Sequence, residues 1–223
     1  MATRLTRPQL MLACAMTAAA GFVDGIGFIH LGGYFVSFMS GNSTRAGADL
    51  AAGDLLGWAK ALGLVLAFVF GVMLATWITR GSRIRRIYAV GDQPRAVWLS
   101  VGLLALAAAC GSLLPAEAAV APLIAAAMGA VNATFARGGE VSVGLTYMTG
   151  ALVKAGQHAA AVFTEGWNTA WLRYAALWTA IALGSAAGAA TYLLIGLAGI
   201  WAAVVVLAAA ACLLGGSARR QPR

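Results

Sequence analysis

The sequence predicts an all-α membrane protein with six transmembrane helices and two re-entrant or broken helices, arranged as a 3+3 inverted repeat. Three observations predict this fold. Hydrophobic residues make up 61% of the 223 positions and charged residues 10%, with a mean hydropathy of +0.85. The apolar residues fall into six runs, each close to the roughly 20 residues that a helix needs to cross a bilayer. A polar stretch of ten residues occurs twice, at 38–47 and at 147–156.

Composition excludes several classes of protein. A soluble domain of this length needs more polar residues to cover its surface, so the solvent for most of this chain is lipid. The net charge is +8, but the cations lie at the ends of apolar runs and in one loop, with no basic face interleaved with aromatics. No nucleic acid partner is therefore predicted. The three cysteines, Cys14, Cys110 and Cys212, lie in apolar runs without CxxC spacing, which predicts neither disulfides nor a metal site.

The six apolar runs are predicted to be helices because they lack the alternation of a barrel strand. Two further stretches carry charged residues among Gly, Ser and Thr, and we expect them to be broken or re-entrant helices packed inside the bundle. Together these elements form one domain over 1–223, with repeat A at about 9–115 and repeat B at about 117–216. The predicted spans are 9–31, 55–79, 96–114, 118–136, 170–192 and 195–215, and the predicted broken helices lie within 34–52 and 141–161.

The distribution of Lys and Arg predicts the orientation. If the six runs cross the membrane, thirteen of the fifteen cations lie on one side, and Arg45 and Lys60 lie on the other. Because Lys and Arg concentrate in cytoplasmic loops, both termini are predicted to be cytoplasmic. The basic loop 80–95 is then cytoplasmic as well, where its cations meet anionic lipid. The basic N-terminus precedes a run of full span length, so no cleaved signal peptide is predicted.

The repeat extends beyond the ten residues. FMSGNSTRAG at 38–47 resembles YMTGALVKAG at 147–156, and AAAGFVDGIGF at 18–28 resembles AAMGAVNATFA at 126–136. This alignment places Asp24 opposite Asn132 and Arg45 opposite Lys154. Since each half contains three crossings, the second half begins on the opposite side of the membrane from the first. Inverted halves of this kind are typical of channels and secondary transporters, whose sites lie at broken helices near the midplane.

The two motif copies are predicted to start helices. Ser40 and Thr149 are suited to be N-caps, and Gly41 and Gly150 permit close backbone approach. Asn42 completes the first triplet, and a cation follows about one turn later in both copies. The alternative is that small residues serve only to pack helices tightly.

Charged groups at membrane depth are costly, so they are usually paired or functional. Asp24 lies in the middle of a span, and we expect Lys154 or Arg45 to pair with it. The sequence leaves open whether such a pair is static or couples transport to an ion. Asp49 is placed to pair with Arg45 at i,i+4. The predicted binding residues are Asp24, Ser40, Gly41, Asn42, Arg45, Asn132, Thr149, Gly150, Lys154 and His158.

These observations predict a small-solute transporter, driven by an ion gradient, or a channel. The alternative is a non-transporting scaffold or partner subunit. No enzyme is predicted, because the chain has no HExxH, no nucleophile elbow and no paired carboxylates placed for acid and base work. No cofactor and no metal are predicted. The expected partners are membrane lipids and a solute, for which the cations suggest an anion; a homo-oligomer is left open.

The motifs GFVDGIGF at 21–28 and FMSGNS at 38–43, the basic loop and the second Thr-Gly motif resemble the YoaK family. The resemblance covers most of the chain and is strongest over 18–47. It implies a polytopic protein of the bacterial inner membrane and brings no substrate. The family's first motif usually reads Thr-Gly-Asn, where this chain has Ser40-Gly41-Asn42. The second copy, Thr149-Gly150-Ala151, lacks the Asn, which implies unequal roles for the two copies.

Overall fold

The computed structural model describes residues 6–80, 94–114, 116–133, 136–137, 140–141 and 148–219. Within these ranges the chain is almost entirely helical, which confirms the all-α prediction. Short 3-10 turns at Glu117–Ala119 and Gly196–Gly199 precede two of the helices. A two-residue strand, β1 (Ala136–Arg137), pairs antiparallel with β2 (Glu140–Val141). The helices are α1 (Arg7–His30), α2 (Met39–Ala51), α3 (Leu55–Arg80), α4 (Pro94–Ser112), α5 (Val120–Ala133), α6 (Met148–Glu165), α7 (Ala170–Ile195) and α8 (Ile200–Arg219).

Four helical stretches of the described chain are long and apolar enough to cross a membrane: Arg7–His30, Leu55–Thr79, Pro94–Ser112 and Ala170–Gly215. The last contains 46 residues and comprises α7 and most of α8, joined by the second 3-10 turn. The apolar helix Glu117–Ala133 is shorter than the predicted span 118–136. At 1.5 Å per residue the described part is about 25 Å long, less than the roughly 30 Å of a hydrocarbon core, and residues 134–135 lie outside the described residues.

Local sequence explains where α1 begins and ends. Thr6 and Gln9 form a capping box, in which each side chain bonds the other's backbone amide. The helix ends at the predicted Gly-Gly break. Gly32 and Gly33 have φ angles of +69° and +99°, a backbone conformation that glycine adopts without steric cost. The matching pair at 138–139 lies outside the described residues.

Helix ends meet at one face of the bundle. The Nδ1 atom of His30, at the end of α1, lies 3.1 Å from the hydroxyl of Tyr192, near the end of α7. The Nε2 atom of His30 lies 3.6 Å from Glu117, which precedes α5. Near the start of α3, Lys60 donates through Nζ to the Leu31 carbonyl at 2.7 Å. So α1 and α7 end where α3 and α5 begin.

The remaining two helices, α4 and α8, also meet at this face, where α4 ends and α8 begins. Trp201, at the start of α8, donates through Nε1 to Ser112 Oγ at the end of α4, at 3.3 Å. We call the face defined by His30, Ser112 and Tyr192 the upper face, and the opposite one the lower face. The six helices α1, α3, α4, α5, α7 and α8 therefore alternate in direction, in that order.

Glycine brings α1 and α7 into backbone contact. A Cβ added at Gly184 would collide with the Ala18 carbonyl, and one at Gly188 would collide with the Phe22 carbonyl. Residue numbers rise together along both helices, so α1 and α7 run parallel. Parallel packing at this distance is possible only with glycine at these contacts.

A second glycine-mediated pair joins α3 and α5. A Cβ at Gly71 would collide with the Ala126 carbonyl, and one at Gly129 would collide with the Phe68 carbonyl. Helix α3 also carries large, exposed apolar side chains, which suits a lipid-facing helix. Examples that are more than half exposed are Leu66, Phe70, Met73 and Trp77.

Candidate functional site

The segment between α1 and α2, residues 31–38, folds back along α1 and is anchored by Asp24. The buried Asp24 carboxylate accepts through Oδ1 from the backbone amides of Val36, at 2.8 Å, and Ser37, at 2.7 Å. Its Oδ2 accepts from the Ser37 hydroxyl. Gly27 leaves room for the Val36 side chain beside α1. Along α1, Asp24 lies about 9 Å before the end of the helix. A segment that bonds Asp24 must therefore return into the bundle before α2 begins.

A second anchor joins the segment to α2. The fully buried Asn42 donates through Nδ2 to the Phe35 carbonyl at 2.6 Å and accepts through Oδ1 from the Phe35 amide at 2.9 Å. One side chain thus satisfies both backbone groups of one residue. Gly41 is required beside it, because a Cβ there would lie 2.6 Å from the Phe38 ring and 2.8 Å from the Phe35 ring. The first motif therefore fixes the segment 31–38 in place.

A charged cluster lies between α2 and the start of α3. Arg45 pairs with Asp49 through Nε at 2.9 Å, which confirms the predicted i,i+4 pair. The Tyr34 hydroxyl donates to Asp49 at 2.7 Å, and this hydrogen bond, followed by burial, raises the pKa of Tyr34 above its ordinary value. Arg45 and Lys60 lie 4.8 Å and 4.5 Å from the centroid of the Tyr34 ring. These two cations and the ring bind α2 to the start of α3.

Helix α2 begins in the first motif, as predicted, and the described part of α6 starts at Met148 in the second motif. The prediction that Ser40 is an N-cap is wrong. The helix begins at Met39, Phe38 holds the cap position without a side-chain hydrogen bond, and Ser40 is exposed in the first turn. In α6, Thr149 is exposed, and the residues before Met148 lie outside the described residues. Gly150 follows it, partly buried.

The second motif helix packs on α7 through one aromatic residue. Tyr174, near the start of α7, is buried. The His158 ring stacks on it with centroids 5.5 Å apart and planes 8° apart, and Lys154 Nζ lies 5.8 Å from the ring centroid. Both predicted residues therefore face the α6–α7 contact. Asn132 is buried in α5, where its Nδ2 donates to the Met128 carbonyl at 2.8 Å.

The predicted sites do not form one centre. Helix α2 packs on α3 and α6 packs on α7, and α2 and α6 do not pack substantially on each other. Asp24 forms no ion pair with Arg45 or Lys154 in the described structure, so that predicted pairing is wrong. The physical reason is local: the returning segment already supplies Asp24 with hydrogen-bond donors, and short connections fold each motif helix onto the helix that follows it. Asp24, Gly41 and Asn42 are brought together at the segment 31–38, and Lys154 and His158 are brought together at Tyr174, but these two groups are separate.

Sequence reasoning missed the partners of these residues. Ser37, Phe35 and Tyr34 complete the anchors in the first half, and the usable signal was the run YFVSF directly after the Gly-Gly break. The contacts of His30 with Glu117 and Tyr192 were missed because they join positions far apart in the chain. In the described ranges no three His, Cys, Asp or Glu side chains lie close enough to hold a metal ion.

Comparison with known proteins gives two matches. A family model described as a protein of unknown function, DUF1275, matches residues 12–213. The UPF0700 transmembrane protein RA0705 of Rhizobium meliloti (strain 1021) is 33% identical over 214 residues, which cover 96% of this chain and 88% of that protein. No solved structure matches the chain.

Proposed function

Since this chain belongs to the DUF1275 family and is a membrane protein, we propose that it is a small-solute transporter of the bacterial inner membrane, built from two inverted repeats. Repeat A comprises α1 to α4 and repeat B comprises α5 to α8. Within each, two long helices follow a motif helix that packs on the first of them. The proposed orientation puts both termini in the cytoplasm.

One observation carries the proposal: the first helix of each repeat packs against a helix of the other repeat. Gly21 of α1 packs on the Ile181 carbonyl of α7, and Gly129 of α5 packs on the Phe68 carbonyl of α3. Gly21 and Gly129 are equivalent in the aligned stretches 18–28 and 126–136.

The reverse contacts are equivalent as well. Gly184 of α7 packs on Ala18, and Gly71 of α3 packs on Ala126, which aligns with Ala18. Helix α1 runs from the lower face to the upper face and α5 runs the other way. A two-fold axis in the membrane plane relates such halves, and this arrangement recurs in secondary transporters.

The two halves differ at their motif loops, and this difference suits alternating access. In repeat A, Asp24 and Asn42 fix the segment 31–38 inside the upper face. At the equivalent places, repeat B has Asn132 and Ala151. We propose that the first motif is closed in this conformation, and that solute passes the second motif at Thr149, Gly150, Lys154 and His158 toward the cytoplasm. A closed first motif favours a carrier driven by an ion gradient over an open pore.

The experiment is a counterflow assay with purified protein in liposomes. The panel consists of small anions, amines, nucleobases and amino acids, each loaded inside at high concentration with a radioactive trace outside. We expect protein-dependent accumulation of at least one solute. Protein-free liposomes and liposomes with Gly129→Leu are the controls. A folded, reconstituted protein that exchanges no solute of any class would overturn the proposal.

A non-transporting scaffold is the second candidate. It is favoured by one observation, namely that α2 and α6 do not pack substantially on each other, so the two motifs do not share a polar centre. The two candidates differ in their response to Arg45→Met and Lys154→Met. A scaffold keeps its function in both variants, whereas a transporter loses counterflow in Lys154→Met.

A further inference from the structure

A cavity of about 550 Å³ opens at the upper face, beside the contact of α2 with the start of α3. It lies between the end of α1, the start of α3 and the turn that precedes α5. Sites for small molecules usually have volumes of about 300–1,000 Å³, with mostly apolar walls and a few polar groups. This cavity fits that description. Its apolar lining is Leu31, Gly63, Leu64, Ala118, Ala121 and Pro122, and its polar lining is His30, Lys60 and Glu117.

The positive group of the cavity is held in position. Lys60 donates to the Leu31 carbonyl at 2.7 Å, and its Nζ lies 4.5 Å from the centroid of the Tyr34 ring. An ammonium has three donors, so two remain for a ligand. Because the carbonyl and the ring fix the side chain, less conformational entropy is lost when a ligand binds.

The negative group of the cavity is Glu117, which lies beside His30. The Glu117 side chain is 71% exposed, and its Oε1 lies 3.6 Å from His30 Nε2. His30 is itself positioned by Tyr192, whose hydroxyl lies 3.1 Å from Nδ1. A carboxylate has about four acceptor positions, so Glu117 retains acceptors for a ligand ammonium.

We propose that this cavity binds a small zwitterion with a primary ammonium and an anionic group, such as a free α-amino acid. A simple anion would be repelled by Glu117, a simple cation would be repelled by Lys60, and a neutral molecule would gain from neither charge. A zwitterion satisfies both, and Leu31, Leu64 and Pro122 would contact a short apolar side chain. The binding site itself does not depend on the proposed function. Only the identification of this molecule as the transported solute rests on it.

The test is equilibrium binding to the purified full chain in detergent, by calorimetry and thermal shift. The probes are L-alanine, L-valine, acetate, methylammonium and glycerophosphoethanolamine, the last representing the headgroup of a zwitterionic lipid. We expect a zwitterion to bind and to raise the Tm, while acetate and methylammonium do not at equal concentration. Binding of the two amino acids indicates a free solute, and binding of glycerophosphoethanolamine alone indicates a lipid headgroup.

Variants separate the cavity from the rest of the protein. Lys60→Met and Glu117→Gln each remove one charge-assisted hydrogen bond and should weaken binding about tenfold. Gly63→Leu adds volume where a Cβ meets no atom within 4 Å, so it should fill the cavity without a clash and abolish binding. Arg95→Met, an exposed cation at the start of α4, is the matched control and should bind as the wild type does.

Three results would overturn the inference: acetate or methylammonium binding as tightly as the zwitterions, no zwitterion binding to the folded protein, or unchanged binding in Gly63→Leu. Failure of the proposed function is distinguishable from these. Zwitterion binding without counterflow would overturn transport and leave the site in place. Counterflow of another solute without zwitterion binding would overturn the site and leave transport in place.

Discussion

Gly21 and Gly129 hold equivalent positions in the two halves of the sequence, and each lies directly against a backbone carbonyl of a helix from the other half. Gly21 contacts Ile181 and Gly129 contacts Phe68. The halves are therefore not two adjoining units. Each supplies the packing partner of the other's first helix.

The first prediction concerns this packing. Gly21→Ala and Gly129→Ala each place a methyl group against a carbonyl that rigid backbone holds in place, so each should lower the stability by about 1–3 kcal/mol or more. Thermal unfolding of the purified variants in detergent measures the loss. Gly102→Ala is the control, because its added Cβ meets nothing within 4 Å and alanine favours the helix. A Gly129→Ala protein as stable as Gly102→Ala would contradict the packing described.

Asp24 carries the second prediction. Asp24→Asn keeps an oxygen for the amides of Val36 and Ser37, so this variant should fold. Asp24→Leu leaves both buried amides without an acceptor, at about 1–3 kcal/mol each, and should unfold at a lower temperature. Thr17→Val is the control: this buried hydroxyl on the same helix has no hydrogen-bond partner among the described residues, so its removal should not destabilise the protein. If Asp24→Asn keeps its Tm but loses solute counterflow, Asp24 couples transport rather than only anchoring the segment.

Asn42 should hold the segment 31–38 in place. Asn42→Ala removes both hydrogen bonds to Phe35, and the released peptide groups should exchange hydrogen faster. Hydrogen exchange with mass spectrometry over 31–38 is the measurement. Ser43→Ala, an exposed neighbour whose hydroxyl bonds only its own helix, is the control. Equal protection in the two variants would show that Asn42 does not anchor the segment.

Arg45 and Asp49 should depend on each other. Arg45→Met leaves the buried Asp49 carboxylate with the Tyr34 hydroxyl but without its cation, so the Tm should fall. The double variant Arg45→Met/Asp49→Asn removes the unpaired charge and keeps an acceptor for Tyr34, and should recover part of the loss. A double variant no more stable than Arg45→Met alone would mean that the pair contributes nothing.

The orientation is predicted to place the upper face outside the cytoplasm. With Cys14, Cys110 and Cys212 replaced by alanine, a cysteine at Ala119 should react with a membrane-impermeant maleimide in intact cells. A cysteine at Trp167, in the α6–α7 connection at the lower face, should react only after permeabilisation. Both positions are exposed. The reverse labelling pattern would invert the assignment made from the Lys and Arg distribution.

Hydropathy located the long helices well, because lipid-facing and core-facing residues are both apolar in this chain. The predicted 9–31 and 55–79 compare with α1 at Arg7–His30 and α3 at Leu55–Arg80. Where α7 ends was less predictable, since the apolar run continues past Ile195 and only the positive φ of Gly196 breaks it. The start of α5 was predicted to within two residues, and the described helix reaches Ala133, after which residues 134–135 lie outside the described residues.

The candidate site was less predictable than the helices. The sequence shows that Asp24 needs a partner, and side-chain charge suggested Lys154 or Arg45. The observed partners are the backbone amides of Val36 and Ser37 and the Ser37 hydroxyl, and backbone amides occur at almost every residue, so residue type did not single them out. In contrast, the Arg45–Asp49 pair depends only on helical spacing, and it was predicted.

The parallel contact between α1 and α7 has a consequence for biogenesis. The ribosome completes α1 long before it reaches residues 170–195. Until α7 is made, the glycine-lined surface of α1 lies in the bilayer without the helix that packs on it. Chains that terminate before α7 would leave that surface facing lipid and would be substrates for membrane quality control. Nonsense truncation anywhere before α7 should therefore lead to rapid degradation of the shortened protein rather than to a stable fragment.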